Sequence, residues 1–124
     1  EGQPNISRGF GCAGFVELNS KTGEAVPSEQ YRMFRHVSPF VRRGAQVLIA
    51  PVKSNAAGSE RVTSLLYSTF KNPDGSYVVV LACPKTGKEP SWCPNIQFQI
   101  KLNNQYLPLQ MLAGSITTVV IRGS

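Results

Sequence analysis

Ile96, Phe98, Ile100 and Leu102 alternate with Gln97, Gln99 and Lys101. This period of two is the mark of a strand with one buried face, and it predicts a strand over Ile96–Leu102. Tyr77–Ala82 is apolar at nearly every position, as a central strand buried on both faces would be. Gln46–Ala50 reads as a short strand with Pro51 at its end, and Arg61–Phe70 is β-branched and aromatic enough for another. Tyr106–Leu109 predicts a short strand, and Ser115–Ile121 a closing β-branched one. Turn residues punctuate this series. Asn72-Pro73-Asp74-Gly75 places Pro second and Gly fourth, Asn103-Asn104 separates two apolar runs, and Arg42-Arg43-Gly44 precedes the first strand of the series. Residues 54–59 and 84–94 are polar and read as loops.

The first part of the chain follows a different pattern. Residues 1–11 are Gly-rich loop, Ala13–Leu18 predicts a short strand, and Asn19 to Gly23 supplies turn chemistry. Tyr31, Phe34 and Val37 recur every three residues while Arg32 and Arg35 face elsewhere, which predicts one helix over Ser28–Val37. The Ser28 hydroxyl can cap its first turn, and Glu29 lies where the helix dipole favours a negative charge. Pro39 disfavours helix at Ser38. The fold class expected is therefore mainly β, with one N-terminal α-helix and five or six antiparallel strands in a β-sandwich or a partly open barrel.

Composition adds bounds. The chain has 124 residues, one domain's length, and is too short for an eight-unit α/β barrel of about 200 residues or more. With 41% hydrophobic residues it can build a core. No run reaches the roughly 18 apolar residues of a membrane helix. The net charge of +6 favours acidic partners such as anionic glycans or membrane surfaces. The charges are dispersed, Arg42-Arg43 being the one adjacent basic pair, and no nucleic-acid motif accompanies them.

Candidate chemistry is sparse. Three cysteines, Cys12, Cys83 and Cys93, leave at least one thiol unpaired within the chain. Cys83 and Cys93 flank a nine-residue loop between two predicted strands. If those strands pair, a disulfide would staple the loop, contributing roughly 2–3 kcal/mol. The alternative is three reduced, buried thiols. Asn5-Ile6-Ser7 is a glycosylation sequon, and with the odd cysteine it suggests secretion. Trp92, in a polar loop beside Pro90 and Pro94, is the candidate for stacking on a sugar; its other reading is a cover on the core edge. Tyr67 and Tyr77 read as core or cross-strand residues. Arg32, Arg35, Arg42 and Arg43 are candidates for a basic surface that would take phosphate or sulfated glycan. Glycosidase chemistry needs two carboxyl groups roughly 5–10 Å apart. The seven acidic residues are scattered among turns, loops and the helix start, so none is assigned a catalytic role. His36 is the single histidine, with no nucleophile or metal-ligand partner at a telling spacing, so neither metal nor cofactor is expected.

Five pieces of the chain, in order, resemble the C-terminal end of glycoside hydrolase family 30, the group of glucosylceramidases and β-1,6-glucanases. Glu1-Gly2-Gln3-Pro4-Asn5 resembles the loop after the last barrel strand. Tyr31–Phe40, with His36, Ser38 and Phe40, resembles the end of the last barrel helix. Gly44-Ala45 resembles the turn into the β-sandwich, Asn72-Pro73-Asp74-Gly75-Ser76 with Val78-Val79-Val80 its hairpin, and Ser115-Ile116 with Thr118 its closing strand. The chain departs from the family pattern at Arg35, where Gly is usual, at Pro39 and Arg43, where Lys and Pro are common, and near Cys83, where Asn is common. The resemblance implies a single domain over 1–124. Residues 1–44 would correspond to the barrel end and 45–124 to the β-sandwich, and His36 would have a structural role. The family's two catalytic glutamates lie on barrel strands with no counterpart here, so no catalytic residue is carried over. The function expected is a secreted, non-catalytic binding or interaction module whose partner is a glycan, a glycolipid or a protein. The alternative is a piece of a processed family 30 glycosidase, active only with its barrel. The helix face of Tyr31, Phe34 and Val37 would have to dock on the sheet or form a homodimer.

Overall fold

The computed structural model describes residues 14–51, 65–85 and 95–123. They fall into two compact units divided between Pro39 and Phe40.

In the first unit, strands β1 (Val16–Leu18) and β2 (Ala25–Pro27) form an antiparallel hairpin. The β2 strand is absent from the sequence expectation, because three residues ending in Pro carry too little period to read. Asn19 closes the connection, its Oδ1 accepting the N–H groups of Lys21 (3.0 Å) and Thr22 (3.3 Å). Helix α1 (Glu29–Phe34) follows, and Ser28 Oγ accepts the Tyr31 N–H at 3.3 Å as its cap. The helix stops short of the expected Val37. His36 and Val37 bond back three residues, to Met33 O and Phe34 O, so the segment tightens into turns before Pro39. The Phe15 and Phe34 rings meet edge to face at 4.8 Å.

The second unit is an antiparallel β-sandwich. One sheet has the order β3–β4–β5–β8: β3 (Gln46–Leu48), β4 (Leu66–Lys71), β5 (Tyr77–Cys83) and β8 (Ser115–Ile121). The other is a hairpin of β6 (Ile96–Leu102) and β7 (Gln105–Met111). Val79, Leu81 and Cys83 point from β5 toward Met111 of β7, and these four form the buried core. Ile96, Phe98, Ile100 and Leu109 pack on it from the second sheet and Val119 from β8. Each such side chain withdrawn from water contributes on the order of 1.5–3 kcal/mol. Val78, on the opposite face of β5, is also fully buried, flanked across the sheet by Phe70 and Val120. On that second face Val80 and Ala82 are half-buried, so the apolar run of Tyr77–Ala82 is more deeply buried on the face of the core. Asn103 and Asn104 take φ of 47° and 63°, as a two-residue hairpin loop of the I′ kind requires.

The condition set for a loop-stapling bridge, pairing of β5 with β6, is not met. β5 bonds to β4 and β8, while β6 bonds to β7 in the other sheet. The chain crosses the sandwich between Cys83 and Ile96, so a cysteine bridge over this stretch would not staple a hairpin.

Candidate functional site

The best-built polar cluster lies at one end of the four-stranded sheet. Lys71 and Tyr77 are cross-strand partners, and Asn72–Ser76 joins them. Gly75 N–H donates to Asn72 O (2.9 Å) and Asn72 N–H to Ser76 O (2.8 Å), with Gly75 at φ 82°. This is a type I turn followed by a left-handed glycine. Asn72 is buried. Its Nδ2 donates to Phe40 O (2.9 Å) and Ser76 Oγ (3.0 Å), and its Oδ1 accepts the Arg42 N–H (2.9 Å). It therefore ties the segment entering β3 to the β4–β5 turn. Gly44 completes the joint. Its φ is 86°, and a Cβ there would come within 3.4 Å of Pro73 Cγ.

Asp74 Oδ1 accepts both the Ser76 N–H (2.9 Å) and the Ser76 O–H (2.6 Å). Those two bonds, with Arg42 and Arg122 nearby, hold its carboxyl below the usual aspartate range. Arg42 and Arg43 lie in the turn before β3, where Ala45 N–H donates to Arg42 O at 2.9 Å. Lys71 ends β4, its Nζ 5.7 Å from the centre of the Tyr77 ring, and Arg122 follows β8. These four cations are all exposed. Asp74 is the one carboxylate among the described residues of this unit. The expected Arg42-Arg43 pair is thus part of a larger basic end. Lys71 and Arg122 escaped the sequence reading because only the strand order β3–β4–β5–β8 makes them neighbours. Arg32 and Arg35 belong to the first unit instead, and Arg32 Nε lies 3.6 Å from Glu29 Oε1 on an exposed helix face.

A second feature is the outward face of β6–β7. Gln97 and Gln110 face each other across the ladder, as do Lys101 and Tyr106, and Lys101 Nζ lies 5.4 Å from the Tyr106 ring centre. Tyr67, by contrast, donates its hydroxyl to Ala50 O at 2.7 Å and serves the sheet. In the first unit, Phe15, Tyr31, Phe34, Arg35, Ser38 and Pro39 line an open hollow of about 330 Å³. His36 lies in the turns after α1. Trp92, Cys93, Cys12 and Asn5 lie outside the described residues. Cys83 is fully buried at the end of β5. Among the described residues no three His, Cys, Asp or Glu side chains gather as a metal site would require.

Residues 52–119, more than half of the chain, match the glycosyl hydrolase family 30 beta sandwich domain. The chain belongs to this family. The family 30 β-sandwich match covers β4 to most of β8, so it includes the Asn72–Ser76 turn and the core. It is the non-catalytic domain of the hydrolase that is detected, and no catalytic barrel is detected with it. No curated protein and no solved structure matches the chain. The acidic residues described in this family 30 chain are Glu17 on β1, Glu24 just before β2, Glu29 at the start of α1, and Asp74. Asp74 lies in the other unit from the three glutamates and is engaged by Ser76.

Proposed function

We propose that this family 30 β-sandwich acts as a secreted, non-catalytic binding module for an acidic sugar, presented as a free glycan or as a glycolipid headgroup. The observation that carries the reading is the basic end of the sandwich. Four exposed cations, Arg42, Arg43, Lys71 and Arg122, lie at this end of the sheet with one carboxylate, which Ser76 engages and on which Arg42 and Arg122 act. Arginine forks suit carboxylate and sulfate oxygens, and several at once give the additive attraction that a lone surface charge lacks. Trp92, on the connection from β5 to β6, is a separate candidate for stacking on a sugar ring and is not assigned to the basic end. A Cys83–Cys93 bridge and a glycan on Asn5 would accord with secretion.

The test is retention of the pure chain on immobilised acidic oligosaccharide and on vesicles carrying an acidic glycolipid. Binding should weaken as salt rises, and Arg42→Ala with Arg122→Ala should lower it at least several-fold. The two supports distinguish free glycan from membrane-held headgroup. Retention that ignores both the salt and the two substitutions refutes the proposal. Trp92→Ala tests the stacking role separately.

The second reading, a piece of a family 30 glycosidase that works with its barrel, has its own support. In the first unit Phe15, Met33 and Phe34 are each more than half exposed. Such an apolar face suits a protein partner. Co-purification of a barrel chain, with hydrolysis of aryl glycosides only by the pair, would favour it.

A further inference from the structure

Asp74 is the only aspartate in the chain, and glycine follows it. A glycine has no side chain to keep its amide nitrogen from the neighbouring carboxyl carbon. We propose that Asp74-Gly75 is a latent succinimide-forming site, held closed by the Asn72–Ser76 hydrogen bonds, and that opening of this hairpin lets Asp74 convert to isoaspartate.

The chemistry balances without any added reagent. The Gly75 amide nitrogen gives up its proton and bonds to Asp74 Cγ, and one carboxyl oxygen leaves as water. A water molecule then opens the five-membered ring at either carbonyl. Attack at the main-chain carbonyl leaves the backbone running through Cγ, which is isoaspartate.

Each feature of the folded turn opposes the first step. The Gly75 N–H is committed to Asn72 O at 2.9 Å, so its nitrogen is neither free nor readily deprotonated. Asp74 Oδ1 is pinned by the Ser76 N–H and O–H at 2.9 and 2.6 Å, which fixes the carboxyl away from free rotation. The same bonds, aided by Arg42 and Arg122, favour the ionised carboxylate, which is the poorer electrophile. Asn72 anchors all of this from a buried position. Once formed, isoaspartate adds a methylene to the main chain between Lys71 and Tyr77. Those two residues are cross-strand partners, so the converted hairpin cannot restore its register. An excursion that opens the turn is thereby recorded permanently.

The full chain is aged for weeks at neutral pH and body temperature, folded in buffer or unfolded in urea, and isoaspartate at position 74 is read by peptide mapping with electron-transfer fragmentation. The folded protein should convert several-fold more slowly than the unfolded one. Ser76→Ala, shown to be folded by circular dichroism, should convert faster than the wild type. Asp74→Glu, whose longer side chain cannot close the same ring, should abolish the signal. Equal rates in buffer and urea overturn the proposal, as does a folded Ser76→Ala chain that ages like the wild type. Should Ser76→Ala not fold, the comparison of folded and unfolded wild type decides alone.

Discussion

Asn72 makes three side-chain hydrogen bonds from a buried position, and two of them reach Phe40 and Arg42, some thirty residues away in sequence. Asn72→Ala would leave a donor at Arg42 and an acceptor at Phe40 without partners, and would also strip one bond from Ser76. The expected loss is about 2–3 kcal/mol of unfolding free energy, read as a lower urea midpoint with unchanged slope. An unshifted midpoint would mean that water replaces the amide without cost. At this scale the sequence was partly informative. Asn72-Pro73-Asp74-Gly75 announced a turn, because Pro presets its φ and Gly accepts the left-handed conformation. That the Asn side chain would bind the backbone at Phe40 and Arg42 was not legible, since those partners are fixed only when β3 lies beside β4.

The strands differ in how clearly their own residues specify them. β6 was read to the residue, because its alternation matches a ladder with one face on the core. β8 was read equally well from its β-branched run. β7 extends further than the expected Tyr106–Leu109, to Gln105–Met111, because pairing with all of β6 recruits residues that lack a pattern of their own. Helix α1 went the other way and is shorter than its apolar period suggested. The loop joining β6 and β7 offers a test. Asn104 holds φ 63°, where a β-branched side chain is strained. Asn104→Val is expected to destabilise the sandwich by about 1–2 kcal/mol, measurable as a fall in melting temperature, whereas Asn104→Gly should leave it unchanged or raise it.

Under the proposed function, the core and the basic end of the β-sandwich have separate tasks. Leu81 is buried within the core cluster, while Arg42 and Arg122 are exposed at one end of the sheet. Leu81→Ala is expected to cost about 2–4 kcal/mol by leaving a cavity between the sheets. Below its own melting temperature the variant should still be retained on acidic glycan like the wild type. Loss of retention in a folded Leu81→Ala chain would tie binding to the core instead of the charged end. Of the candidate site, Arg42 and Arg43 were legible as a basic pair, whereas Lys71 and Arg122 were not. Their sequence positions carry no mark of proximity, and only antiparallel pairing of β3 with β4 and of β5 with β8 collects them.

The amino-acid order alone settled the class of the fold, most strand positions and the turns between them. Those depend on local period and on the backbone preferences of Pro, Gly and Asn, which act over a few residues. It also carried the likeness to family 30, which the match over residues 52–119 established. Which strands would be neighbours was decided by tertiary structure. β5 lies between β4 and β8 in the larger sheet, while β6 pairs with β7 in the other, and nothing in the local pattern of either strand specifies these partners. That order set the rest, placing the Asn72 amide against the β3 entry and bringing Arg42 and Arg122 to the Asp74 carboxylate.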